Sequence, residues 1–145
     1  MNRTTKLDVV HPCYNPHEGW EKELLHYYKI FVSQLPSQVE VKLYLVDDGS
    51  IRGVTEAHLQ YLQENIPSFE YVTYSQNRGK GFALRTVIAK TQGDLIIYTD
   101  ADYPYRMENA WEMFRLLNDE NYDVVLGVRD DHYYSQLPFL RKVFS

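Results

Sequence analysis

The sequence predicts an α/β fold: a doubly wound, mostly parallel sheet with helices on both faces. Three observations point there. Short apolar runs alternate with amphipathic stretches along the whole chain, the order expected of strand–helix–strand units. Leu95 to Tyr98 is a continuous apolar run, the pattern of a strand covered on both faces. Three such runs end in polar or acidic turns, at Tyr14-Asn15, Asp47-Asp48 and Asp100-Ala101-Asp102. In a parallel sheet those ends share one edge, the edge at which open α/β sheets take their ligands.

The elements follow in order. Leu7 to His11 reads as a first strand, stopped by the loop Pro12-Cys13-Tyr14-Asn15-Pro16. From His17 to Leu35, the residues Trp20, Leu24, Tyr28, Phe31 and Leu35 form one helical stripe, with Glu18, Glu21 and Glu23 near its start. Pro36 breaks that helix, and Val39 to Val46 is a second strand landing on Asp47-Asp48-Gly49-Ser50. Thr55 to Asn65 is a helix ended by Pro67, and Phe69 to Tyr74 a third strand. Gln76 to Gly81 is a glycine-containing turn leading to a helix over Phe82 to Thr91. The strand Leu95 to Tyr98 comes next, then a helix over Glu108 to Leu117 and a fifth strand over Tyr122 to Val128.

The bulk composition limits the function classes. With 145 residues, 44% hydrophobic and 24% charged, the chain is expected to form one domain with a proper core. A formal charge of −5 argues against a general nucleic-acid or anionic-membrane binder, which needs a basic surface, but not against one nucleotide held by a local site. Cys13 is the one cysteine, so no internal disulfide forms, and a reducing, cytoplasmic setting is the expectation. It reads as buried filler rather than a nucleophile. No apolar run approaches the roughly 18 residues of a membrane span.

Asp100 and Asp102 carry the chemistry. Residues two apart in extended backbone point to one side, so both carboxylates can face one cation. Acidic oxygens suit a hard ion such as Mg²⁺, which shares its shell with substrate phosphates. On spacing alone, a pair of solvated loop aspartates remains the alternative. The five histidines make no i, i+4 pair, so zinc has little support. His58 reads as a solvated helix position; His11 and His17 flank the first loop, with structural roles preferred. Asn77 to Gly81 lacks the Gly-Lys-Ser/Thr ending of a P-loop.

Four motifs in order carry a resemblance: Pro12-Cys13-Tyr14-Asn15, Leu45-Val46-Asp47-Asp48-Gly49-Ser50, Asn77-Arg78-Gly79-Lys80-Gly81-Phe82-Ala83-Leu84-Arg85 and Asp100-Ala101-Asp102. Together they resemble the nucleotide-binding half of the family 2 glycosyltransferases, which have the Rossmann-like GT-A fold. Lys80-Gly81, Asp-Ala-Asp and Val124 to Arg129 look most like the polyprenyl- or dolichol-phosphate sugar transferases. The resemblance implies transfer of a sugar, with inversion, from a UDP- or GDP-sugar to an acceptor, either a polyprenyl phosphate or a saccharide hydroxyl. It implies Mg²⁺ or Mn²⁺ as cofactor.

Position by position, the resemblance puts Pro12, Tyr14 and Asn15 beside base and ribose. It has Asp47 accept from the base, Asp48 brace the loop or approach the ribose, and Gly49 permit the turn. Arg78, Gly79 and Lys80 would close over the phosphates, with Ala101 between two acids. Asp100 would meet the ribose or a metal-bound water, Asp102 would ligate the metal, and Arg129 would add a positive contact to phosphate. Asp100 and Asp102 form the metal pair; Asp102 and Arg129 are the catalytic candidates.

The chain also departs from the family pattern. Ile51-Arg52-Gly53 stands where a further aspartate is usual, Pro16 where an acid is usual, and Pro104 where the lipid-phosphate branch has glutamine. Family members continue through an acceptor-binding half, so residues 1–145 are expected to be the donor-binding part. Leu137 to Phe144 resembles the start of a segment lying at the membrane surface, with an ordinary packing helix as the alternative. A nucleotide-binding module without turnover stays open; a pyrophosphorylase lacks its glycine- and arginine-rich first loop here, and a receiver domain matches poorly.

Overall fold

A computed structural model describes residues 4–101, 106–120 and 122–128. Four strands form one parallel sheet: β1 (Thr5–Cys13), β2 (Val39–Asp47), β3 (Phe69–Thr73) and β4 (Leu95–Tyr98), in the order β3-β2-β1-β4. Helices α1 (Trp20–Ser33), α2 (Glu56–Asn65), α3 (Lys80–Ile88) and α4 (Met107–Asn118) alternate with them.

The winding follows from handedness. Right-handed crossovers that step outward from β1 to β2 to β3 must put their helices on one face; the crossover back to β4 must use the other. The core divides accordingly. Leu7, Val9, Cys13, Leu43 and Leu45 pack against Trp20, Leu24 and Phe31 of α1, Leu62 of α2 and Phe114 of α4. Val10, Tyr44, Val46 and Val72 pack against Ala83 and Val87 of α3. The sheet is therefore doubly wound, and its direction of winding switches between β1 and β4.

Local chemistry sets the helix ends. Gly19, at φ 82, delays α1 to Trp20 instead of His17, because that left-handed conformation cannot sit inside a right-handed helix. Thr55 accepts a hydrogen bond from the His58 backbone N–H at 3.3 Å and caps α2. α3 starts at Lys80, two residues before Phe82, and its last turn closes with Lys90 and Thr91 donating to Val87 and Ile88.

Two expectations fail. Tyr122 to Val128 forms no strand; Val124, Leu126 and Val128 are 71%, 75% and 89% exposed. A strand needs a ladder partner, and among the described residues β4 pairs with β1 alone. Among the described residues β4 is also covered on one face only: Leu95 and Ile97 pack into the core while Ile96 and Tyr98 are 38% and 53% exposed, because the cluster under α3 on that face reaches Val10 of β1 and no residue of β4. An apolar run reports compatibility with burial, not the presence of the neighbour that would bury it. No helix among the described residues is long and apolar enough to cross a membrane.

Candidate functional site

The parallel register brings the three strand ends together. Cys13 lies opposite Asp47 and Val10 opposite Tyr98. The Thr99 N–H donates to the Val10 carbonyl at 3.1 Å and the Asp48 N–H to that of Cys13 at 2.9 Å. The loops after β1 and β2, and the turn after β4, therefore meet at one corner beside the topological switch point.

Asn15 ties the first loop to the second. At φ 47 it is the one described non-glycine residue with positive φ, a conformation its short polar side chain tolerates. Its Oδ1 accepts from the Ile51 and Arg52 N–H groups at 3.0 and 3.3 Å, and its own N–H donates to Ser50 Oγ at 2.9 Å. Pro12 is half-buried and Tyr14 is exposed at the rim.

Both acids of the Asp47-Asp48 pair are 4% exposed. Asp47 accepts from the Ser50 N–H at 2.9 Å and from the Tyr71 hydroxyl at 2.7 Å. Asp48 accepts from the Tyr74 hydroxyl (2.6 Å), Asn77 Nδ2 (2.8 Å) and the Arg78 and Gly79 N–H groups (2.8 Å each). Those donors hold the charge in place of water, which a buried carboxylate requires. Burial first, then the Asp47 carboxylate, pushes the Tyr71 phenol up to about 12. Burial and the bond to Asp48 raise Tyr74 as well, so both phenols stay donors.

Gly49, at φ 69, lets the turn press against the next loop. A Cβ there would lie 2.5 Å from the Gln76 carbonyl carbon and 2.7 Å from the Asn77 nitrogen. Beyond it, the Arg78 guanidinium sits 3.9 Å from the Phe82 ring centroid. Gly79 turns the chain at φ 86 into α3, whose N-terminus carries partial positive charge. Lys80 Nζ meets Asp100 Oδ1 at 2.5 Å and lies 5.8 Å from the Tyr98 ring centroid.

Beneath Asp100 lies His11, fully buried in β1. Its Nδ1–H donates to the Thr99 carbonyl at 3.0 Å. Burial lowers its pKa to about 4 against the backbone bonds at Thr99 and Asp100, so the ring is neutral near pH 7. Cys13 is buried too; burial, then Asp47 and Asp48, pushes its thiol up to about 12, the inert filler expected. Ala101 packs against the α1–α2 core.

The expected site thus converges in part. Pro12, Tyr14, Asn15, Asp47, Asp48, Gly49, Arg78, Gly79, Lys80, Asp100 and Ala101 all lie on the strand ends, loops and helix start that meet at this corner. Asp102 and Arg129 lie outside the described residues, as do Pro104 and Leu137 to Phe144. Among the described residues no group of three or more His, Cys, Asp and Glu could hold a metal ion. Tyr71 and Tyr74, which donate to the two acids, escaped the sequence reading; the sequence places Asn77 at the start of the loop over the phosphates, without its bond to Asp48. His58 is also no solvated position: its ring stands edge-on to Trp20 at 5.9 Å, and its Nδ1–H donates to the Gly53 carbonyl at 3.0 Å.

A doubly wound sheet with an acidic corner at its switch point defines an open α/β domain, the class whose ligands enter at that edge. The description "Glycosyl transferase family 2" matches residues 8–143, and the chain belongs to that family, with its GT-A fold. It is similar to the undecaprenyl-phosphate 4-deoxy-4-formamido-L-arabinose transferase of Pseudomonas syringae pv. syringae, 32% identical over 126 residues, covering 86% of this chain and 36% of that protein. It is also similar to the human dolichyl-phosphate β-glucosyltransferase, 29% identical over 120 residues, covering 80% and 37%. The chain spans little more than a third of either relative. In fold it matches a mannosyltransferase from Pyrobaculum calidifontis in complex with GDP-Man and Mn²⁺, with TM-score 0.69 and 24% identity, covering 92% of this chain and 39% of that one.

Proposed function

We propose that this chain is the donor-binding part of an inverting glycosyltransferase that takes a sugar from a UDP- or GDP-sugar. The observation that carries the reading is the meeting of the Asp47-Asp48 turn, the Asn77–Lys80 loop and Asp100 at one strand-end corner. The polyprenyl- and dolichyl-phosphate transferases among the relatives support a lipid-phosphate acceptor. Such an acceptor is already partly ionised and needs less from a general base than a saccharide hydroxyl would.

The residues take the following roles. Pro12, Tyr14 and Asn15 border the base and ribose. Asp47 accepts from the base through lone pairs that Ser50 and Tyr71 leave unused, since a carboxylate offers about four. Asp48 fixes the backbone of Arg78 and Gly79 and so shapes the loop that covers the diphosphate, towards which Arg78 and Lys80 supply positive charge. Gly49 keeps that loop close, and Ala101 spaces the acids.

The same reading assigns a divalent cation to this corner, with Asp102, outside the described residues, as the second carboxylate beside Asp100. Asp100 offers oxygen ligands and already attracts a positive group, the Lys80 ammonium. Asp100 and Asp102 would hold Mg²⁺ or Mn²⁺; bound there, it would neutralise charge growing on the leaving nucleoside diphosphate. As the acceptor oxygen bonds the anomeric carbon and the bond to the diphosphate breaks, Arg129 and Lys80 stabilise the same developing charge. The work would take place in the cytoplasm, with Leu137 to Phe144 touching the inner face of a membrane.

The test is a thermal-shift and calorimetric titration with UDP, GDP and CDP and their sugars, with and without Mn²⁺. One nucleotide diphosphate should raise the melting point in a Mn²⁺-dependent way. No metal-dependent response to any of them sinks the donor-site reading. Assay with a polyprenyl phosphate, in the longer protein this chain aligns within, tests the acceptor; transfer only to a saccharide hydroxyl overturns the lipid-phosphate choice.

A further inference from the structure

We infer that Phe82 is a positioning residue for Arg78: its ring holds the guanidinium over the first turn of α3, ready to take the diphosphate of the donor. The inference rests on the donor-site reading and adds to it the group that aims the arginine.

Both ends of Arg78 trace back to one carboxylate. At the backbone end, its N–H donates to Asp48 Oδ1 at 2.8 Å. At the other end, the guanidinium carbon lies 3.9 Å from the Phe82 ring centroid. That ring stands edge-on to Tyr74, with centroids 5.2 Å apart and planes at 88°, a favoured arrangement for two aromatic rings. The Tyr74 hydroxyl closes the circuit by donating to Asp48 Oδ1 at 2.6 Å. A side chain rich in rotamers is thereby held at root and tip.

The ring has little other work. Phe82 is half-buried and stands outside the hydrophobic clusters of the described residues, whereas its neighbours Ala83, Leu84 and Val87 pack under α3. α3 has no acid in its first turn, and the positive end of a helix repels a cation. The negative face of the ring, in place of a carboxylate, offsets that repulsion.

The stack also leaves the arginine free to bind. Contact through the flat face of the guanidinium keeps its in-plane N–H donors available, in the fork that matches a phosphate. Among the described residues no carboxylate forms an ion pair with Arg78, while Lys80, two residues on, is engaged with Asp100. Of these two cations, Arg78 is the one already placed and not yet neutralised. Ordering it beforehand reduces the entropy lost on binding.

The test separates phosphate binding from base binding. GDP and UDP are titrated by calorimetry, and guanosine and uridine by ligand-observed nuclear magnetic resonance, all with Mg²⁺. The proteins are wild type, Phe82→Leu, Phe82→Tyr, Arg78→Met and the double variant Phe82→Leu/Arg78→Met. Phe82→Leu should bind the diphosphate about fivefold more weakly and the nucleoside unchanged, with its urea midpoint close to wild type. Arg78→Met should weaken the diphosphate about tenfold, and adding Phe82→Leu to it should change nothing further, because the ring acts through the arginine. Phe82→Tyr, which keeps the ring face, should bind as wild type does. Three results overturn the inference and leave the donor-site reading standing: a diphosphate affinity unchanged in Phe82→Leu, an equal loss for nucleoside and diphosphate, or an equal loss with and without Arg78. If wild type binds neither diphosphate, both fall together.

Discussion

The Asp48 carboxylate and the Gly79 backbone N–H lie 2.8 Å apart although they are separated by 31 residues in sequence. With Tyr74, Asn77 and Arg78 donating to the same group, one side chain decides the path of the whole β3–α3 loop. The loop that carries Arg78 and Lys80 therefore depends on an acid that itself points into the protein.

Asp48→Asn keeps the shape of that side chain but turns an amide donor towards a cluster of donors. Hydrogen bonds to a buried charge are worth about 1.5–3 kcal/mol each, and several are disturbed together. The expected loss is on the order of 3 kcal/mol, read as a lower midpoint in urea unfolding, with faster proteolysis of the Gln76–Lys80 loop. A midpoint equal to wild type would show that the loop is held by other means.

His11 should give the fold an acid limit of its own. Its folded pKa of about 4 lies below the ordinary 6.5, so the unfolded chain binds a proton that the folded chain refuses. Stability is complete above pH 6.5 and falls as the pH drops towards 4. The loss reaches about 3 kcal/mol at 1.36 kcal/mol per pKa unit. Urea midpoints at pH 7.5, 6, 5 and 4.5 should show this slope in wild type and a shallower one in His11→Gln. Equal slopes would remove His11 as the cause.

Gly49→Ala tests the closeness of two loops. A left-handed φ of 69 costs an alanine about 1 kcal/mol, and its Cβ would meet backbone atoms of Gln76 and Asn77 at 2.5 and 2.7 Å. Backbone cannot swing aside as a side-chain tip does. The variant should lose about 2–4 kcal/mol, seen as a lower thermal midpoint; Gly19→Ala, with nothing within 4 Å of the new Cβ, should lose only the conformational part.

Cys13 should resist thiol reagents in the folded protein. Burial and the two adjacent acids hold the thiol protonated up to about pH 12, and the thiolate is the reactive form. Iodoacetamide at pH 8 should label it only after unfolding. Rapid labelling of the native protein would place the first loop open to solvent.

Element types were legible because alternation and helical spacing are local. Trp20, Leu24, Tyr28 and Phe31 pack as their spacing implies, and the acidic strand ends meet where a parallel sheet must put them. What escaped depends on neighbours. The run Val124–Val128 looks like a strand whether or not a ladder lies beside it. Tyr71 and Tyr74 look like ordinary strand aromatics until register aligns Asp47 with Thr73 and turns the two phenols to the acids. His58 shares a stripe with Leu62 and Ile66 at four-residue steps, so its partial burial was within reach of periodicity.

The strand order has a consequence for how this molecule comes into being. Each neighbouring strand pair is parallel, so none closes as a hairpin, and β4 docks on β1, with Leu95 opposite Leu7. Such long-range closure slows folding. During synthesis β1, β2 and β3 can pair before β4 has emerged, and Asp100 joins Lys80 only when β4 seats. Asp100 thus reaches the corner after the Asp47-Asp48 pair, and its ion pair with Lys80 waits until β4 has joined the sheet.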